Sequence, residues 1–251
     1  MLTEERQQRI IQLVQQNNIV KLHELTKLLQ ASESTIRRDL QDLEDQGLLK
    51  RIHGGAQKNS HLLQEADMQQ KTTVHTLEKQ AVARLASQQI APEDVLYLDA
   101  GSSTLALIDF LPTDQNIQVV TNSVQHAARL IDRGIQTIIL GGKIKLSTQA
   151  TLGYTAIEQL SHYRFTKVFL GTNGIDLAAG ITTPDPEEAS LKHQAIAHGE
   201  IAYILADSSK FGQVTFTHFA NLADVTIITS PLELDNLSEY QSKTTILEAS
   251  L

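Results

Sequence analysis

The chain reads as an α/β protein in two parts: a winged helix-turn-helix over residues 1–57 and, after a linker at 58–76, a mostly parallel α/β domain over 77–251. Three observations predict this. The first sixty residues hold short helical patterns that end in a basic ribbon closed by glycines. From Glu78 onward, brief apolar runs alternate with amphipathic stretches, the pattern of a parallel sheet wrapped by helices. The charge divides at the same place: residues 1–60 carry 9 Lys+Arg against 8 Asp+Glu, and the remainder carries 12 against 21.

Thr3 can cap a first helix, with Glu4 and Glu5 in the turn where negative charge suits the helix dipole. Ile10, Leu13 and Val14 follow at helical spacing. Ile19-Val20-Lys21 is a short β-like break, and Leu22, Leu25, Leu28 and Leu29 form a second apolar face. Ser32 is placed to cap a third helix carrying Ile36, Leu40 and Leu43, which Gly47 is expected to end. Ser34, Thr35, Arg37 and Arg38 flank that stripe near the amino-terminal half, where a recognition helix meets base edges. Arginine can bridge guanine O6 and N7 or clamp a phosphate, and the sequence leaves both open. Leu48 to Ala56 alternates apolar and basic residues up to Gly54-Gly55, which predicts a hairpin wing. Lys50, Arg51 and His53 are then expected at the DNA backbone or the minor groove. A three-helix bundle with solvated charges is the alternative. Helix order, spacing and basic wing together favour double-stranded DNA as partner.

The stretch from Gln57 to about Thr76 is polar, with Leu62, Leu63 and Met68 its only apolar stripe, and is expected to be a linker. Beyond it, Gln80 to Ile90 is helical in pattern. Strands are expected at 95–98, 117–120, 135–140, 167–170 and 202–205, with 225–228 the last. Ligands of parallel sheets bind beyond the carboxyl ends of the strands, and these ends carry Gly, Ser, Thr, Asn, Asp and Lys. Gly101-Ser102-Ser103-Thr104, opening a helix, offers amides and hydroxyls to a phosphate, with Lys143, Lys145 or Lys210 as counter-charge. Small polar residues also make ordinary tight turns. Convergence of several such loops on one edge is what favours a site.

Composition excludes several classes. There is no cysteine, hence no disulfide or thiolate metal site. No dinucleotide or P-loop spacing survives, and the nine histidines lack metal-ligand spacing. No metal or cofactor is expected. The polar amino terminus and the lack of any membrane-length apolar run predict a soluble cytoplasmic protein with no membrane partner.

The run Ser32-Glu33-Ser34-Thr35-Ile36-Arg37-Arg38-Asp39-Leu40, with Leu43-Glu44, Gly47-Leu48 and Arg51 to Ala56, resembles the signature of the DeoR family of sugar-metabolism repressors. The later segments 99–104, 120–123, 140–142, 169–176, 180–192 and 206–212 are similar to that family's sensor domain, whose fold is akin to ribose-5-phosphate isomerase. Met1 to Arg6, Tyr97 to Gly101 and Thr182 to Ala189 look like its fructose operon repressor branch. The resemblance implies a homo-oligomeric repressor, dimer or tetramer, released from operator DNA by a sugar phosphate, with fructose 1-phosphate the implied effector. It puts the phosphate loop on Gly101, Ser102, Ser103 and Thr104. It puts sugar-facing groups on Asp99, Asn122, Asn173, Asp176, Asp185, Glu188, Lys192 and Lys210; Gly142, in the matching segment 140–142, and the neighbouring Lys143 are also expected at the effector. The family often has Gly-Thr-Thr-Thr or Gly-Ser-Thr-Thr where this chain has Gly-Ser-Ser-Thr, a conservative departure.

The rival reading is a sugar-phosphate isomerase with a DNA-binding appendage. Glu188 would then be the base, assisted by Asp176 with Lys192 or Lys210. The isomerase-like loop would carry a second acid where this chain has Asn173, which cannot exchange protons. No catalytic residue is therefore expected.

Overall fold

The computed structural model describes residues 3–17, 19–45, 48–58, 62–63 and 66–251. It divides into two compact units, Met1–His61 and Leu62–Leu251. Gly47, the expected end of the third helix, lies outside the described residues.

The first unit runs α1 (Thr3–Asn17), β1 (Ile19–Lys21), α2 (Leu22–Leu29), α3 (Glu33–Asp45), β2 (Leu49–Ile52) and β3 (Gly55–Lys58). Ser32 caps α3, its Oγ accepting from the Thr35 amide at 3.2 Å. The β-like break is a true strand: β1 joins the wing in an antiparallel sheet of order β1-β3-β2. Ile10, Val14, Leu25, Ile36, Leu40, Leu43 and Leu49 close the core. Leu28, read as part of the α2 face, is 62% exposed instead.

The two wing glycines serve different ends. Gly54 has φ +83°, the left-handed turn of the His53-Gly54 loop. At Gly55 a Cβ would collide with the carbonyl of Val20 where β3 meets β1. The fold also rests on a pair that bridges α1 and α3. The Arg6 guanidinium donates to Asp39 at 2.5 and 3.0 Å, and the Asp39 side chain is only 3% exposed. Asp39→Ala, which strands Arg6, is expected to cost this unit about 3 kcal/mol. Native-state amide exchange in α1 and α3 would read the loss; unchanged protection would show the pair to be dispensable.

The second unit continues with α4 (Met68–Thr73), α5 (Thr76–Ser87), β4 (Val95–Leu98), α6 (Ser102–Ile108), β5 (Gln118–Thr121), α7 (Val124–Asp132) and β6 (Gln136–Ile139). A hairpin of β7 (Lys143–Lys145) and β8 (Ala150–Leu152) leads to α8 (Tyr154–Ser161) and β9 (Phe165–Gly171). Then come β10 (Gly174–Asp176), β11 (Gly180–Thr183), α9 (Pro186–Ala197), β12 (Gly199–Ala206), β13 (Thr217–Ala220), β14 (Thr226–Thr229), α10 (Leu237–Gln241) and β15 (Thr245–Glu248).

Seven strands form one parallel sheet in the order β15-β14-β12-β9-β4-β5-β6. Its central strands are apolar on both faces, as a sheet covered on both sides requires. Tyr97, Val168, Leu170 and Ile204 face one core, and Leu96, Leu98, Phe169 and Leu205 face the other. Two expectations need correction. β14 is not the last strand, because β15 pairs beside it. The linker is shorter than 58–76, because Met68 on α4 is buried in a core of the second unit and its amide donates to the Ser147 carbonyl at 2.9 Å.

Candidate functional site

On the first unit, Ser34, Arg37, Arg38, Lys50 and His53 are exposed and Thr35 is half-buried. The Ser32 hydroxyl sits 2.9 Å from that of Ser34 and 2.7 Å from that of Thr35, so both are held at the amino end of α3. Arg37 donates to Glu33 at 2.5 and 3.0 Å in an exposed pair, the kind that water and salt weaken. Arg38 makes no ion pair among the described residues. Arg51 departs from expectation. Its guanidinium turns back to Gln41 and its amide donates to Glu44 at 2.8 Å, so this side chain ties the wing to α3.

In the larger unit the strand order reverses between β4 and β9. β5 and β6 lie to one side, and β12, β14 and β15 to the other. That reversal opens a crevice at the carboxyl ends, where ligands of such sheets bind. A cleft lies there, lined by Asp99, Gly101, Ser102 and Ser103 after β4, Gly171 to Asn173 after β9, and Asp207 and Lys210 after β12. Glu188 and Lys192 reach it from α9, and Lys71, Val74 and Lys79 from the α4–α5 stretch.

Asp99 spans the crevice. Both its carboxylate oxygens accept from the Gly171 amide at 3.0 Å, and Lys192, which also donates to the Gly171 carbonyl at 2.9 Å, is its buried counter-ion. Glu188, one turn before Lys192, is met by Lys145 and by the Thr148 hydroxyl, each at 3.0 Å. Lys145 also reaches Asp185 at 2.8 Å. Burial works to raise the Asp185 pKa, but Lys145 and the Glu188 and Glu187 amides outweigh it and hold the carboxyl below its usual range. Asp207 is likewise held low: burial is overcome by the charge of Lys210 and the hydrogen bond from Ser209.

Several expected residues sit elsewhere. Gly142 and Lys143 follow β6, the edge strand two places beyond β4, and do not line the cleft. Asp176 accepts from the amides of Ala178 and Ala179 at 2.9 and 2.8 Å, closing the β10–β11 turn. Asn122 borders a smaller recess behind Asp99. Thr104 is fully buried. Its Oγ1 lies 3.0 Å from Asp99 Oδ1 and 3.2 Å from His126 Nε2, so it supports the loop from below rather than meeting a ligand. Sequence reasoning missed Lys79, although it falls on the buried stripe of α5 with Val82, Ala83 and Ala86. A lysine at a core position of a helical stripe was the available signal.

His126 completes this buried network, with Nδ1 2.7 Å from Ser123 Oγ. Burial pushes its pKa down to about 3 from the usual 6.5. The unfolded chain therefore binds the extra proton first. Stability is expected to fall as pH drops below 6.5, by about 1.4 kcal/mol per unit at most, levelling near the folded value. Thermal melts of wild type and His126→Gln between pH 7 and 4 check this, and the variant should lose part of the slope.

Head and cleft together define a transcription regulator with a DNA-binding part and a ligand-sensing part. The DeoR-like helix-turn-helix domain model matches residues 6–61, and the DeoR C terminal sensor domain model matches residues 74–231. The chain belongs to the DeoR family of transcriptional regulators. It is 47% identical to the uncharacterized HTH-type transcriptional regulator FruR of Bacillus subtilis, over 98% of each chain. It is 35% identical to the HTH-type transcriptional regulator GlpR of Haloferax volcanii, over 96% of each, and 31% identical to a lactose phosphotransferase system repressor of Staphylococcus epidermidis, over 93% of this chain and 94% of that one. A ribose 5 phosphate isomerase A from Neisseria gonorrhoeae aligns at TM-score 0.40 and 16% identity, over 53% of this chain and 52% of that one, a level that carries no functional weight. Among the described residues no helix is long and apolar enough to cross a membrane.

Proposed function

We propose that the protein represses a sugar-utilisation operon and releases its operator when a phosphorylated sugar, fructose 1-phosphate in particular, enters the cleft at the β4–β9 reversal. The observation that carries this reading is the cleft's chemistry: Ser102 and Ser103 line it together with Lys79 and Lys210, beside carboxylates and Asn173, whose amide suits sugar hydroxyls. Lysine and backbone amides favour a phosphate, and carboxylates favour hydroxyl donors. The likeness to a regulator named FruR points to fructose. The isomerase reading is disfavoured by geometry: Asp176 is spent on a turn, Glu188 is held by Lys145 and Thr148, and Lys192 is committed to Asp99.

Two copies would place two α3 helices in successive major grooves, and the effector would favour an arrangement that no longer matches the half-sites. A hundredfold change in DNA affinity needs about 2.7 kcal/mol of difference in effector binding between the two arrangements. Calorimetric titration with fructose 1-phosphate, fructose 6-phosphate and glucose 6-phosphate tests the assignment. Saturable binding of the first, at least tenfold tighter than the others, is the expected result; equal affinity for all three would remove the fructose 1-phosphate assignment.

A further inference from the structure

Lys79 is 7% exposed, yet it lines the cleft beside Ser102, Ser103 and Lys210. Its ammonium donates to the carbonyl of Lys71 and, at 2.7 Å, to that of Val74. Those carbonyls lie at the end of α4 and in its cap, on the stretch of chain that follows the DNA-binding unit in sequence. An ammonium has three N–H donors; the third meets no acceptor among the described residues. Of the other lysines that line the cleft, Lys192 is engaged with Asp99. Lys210 stands 3.9 Å from Asp207, whose Oδ2 is buried and accepts no hydrogen bond among the described residues.

We propose that Lys79 gives its third N–H to the phosphate of the effector, which sits between Lys79 and Lys210 above Ser102 and Ser103. One ammonium then joins the ligand to the backbone at 71–74, making the α4–α5 stretch a wall of the effector site and not a spacer. This rests on the sugar-phosphate reading of the cleft. Phosphate oxygens hold Lys79 in place, and Lys79 in turn holds the two carbonyls. Effector binding is thus expected to order residues 68–76 as well as the strand-end loops.

Hydrogen exchange on the full chain, with fructose 1-phosphate and with inorganic phosphate as the minimal probe, reads this directly. The expected result is slower exchange in peptides spanning 68–76 together with those spanning 99–104. Lys79→Met should bind fructose 1-phosphate about 10- to 100-fold more weakly, with Lys79→Arg retaining most of the affinity. Protection at 99–104 and 207–210 with none at 68–76 would overturn the inference, as would Lys79→Met binding within twofold of wild type. If Lys79→Met does not fold, the wild-type exchange pattern decides alone. Absence of protection anywhere, with either probe, would instead bring down the sugar-phosphate reading and this inference with it.

Discussion

Lys192→Met is expected to cost the sensor unit about 3–5 kcal/mol and to abolish its response to sugar phosphate. Asp99 is 2% exposed and lies where the two halves of the sheet part. Its charge is balanced by Lys192 and by the Gly171 amide. Without the ammonium, a carboxylate is left buried against backbone and a threonine hydroxyl, a loss that desolvation makes far larger than that of any surface pair. The double variant Lys192→Met with Asp99→Asn removes the stranded charge while keeping an acceptor for Gly171. It should recover at least half of the lost stability. Urea denaturation of the four proteins in this cycle checks the coupling. Additive losses would mean that the two side chains do not act as a pair.

The second large effect belongs to the DNA-binding unit. Arg38→Ala is expected to weaken operator binding by about 10- to 100-fold, the range for one specific arginine contact. Sugar-phosphate affinity should be unchanged. Arg38 is exposed on α3 and makes no ion pair among the described residues, so its charge is available to DNA. Arg37 must first leave Glu33, so Arg37→Ala should cost less. Titrations at several salt concentrations distinguish the two arginine roles that the sequence left open. A phosphate contact weakens all sequences alike and lowers the salt slope by about 1; a base contact relaxes preference at one position. An Arg38→Ala protein that binds operator normally would remove α3 from the recognition role.

Much of this architecture was legible because local pattern and tertiary role agree. Val95 to Leu98 reads as a buried strand and is one, since both faces of β4 are covered. The cap at Ser32, the β-break at Ile19 and the glycine-closed wing follow from local sterics and hydrogen bonding alone. β15 was missed because, at the sheet edge, its two central residues are only partly buried and its ends are exposed. The β10-β11-β13 sheet escaped for another reason: its strands of three or four residues bury polar side chains such as Thr182 and Thr183.

For the site, the strand-end loops could be read from sequence, but which of them converge depends on strand order. Asp99, Asn173 and Lys210 meet because β4, β9 and β12 are neighbours, whereas Gly142 and Lys143 are carried away on β6. Lys71 and Lys79 were hidden by the reading of 58–76 as a linker and by a helix start placed four residues late at Gln80. Burial of a lysine is a tertiary fact, visible in sequence only as a charge inside an apolar stripe.

The proposed coupling of operator binding to a sugar phosphate in the β4–β9 cleft can be read in a single titration. The assay is a gel-shift at fixed, stated salt, using DNA from upstream of the protein's own operon with and without fructose 1-phosphate. Fructose 6-phosphate and glucose 6-phosphate serve as controls. A specific complex that fructose 1-phosphate dissociates and the controls leave intact is the expected result. A complex that persists at saturating fructose 1-phosphate would contradict it.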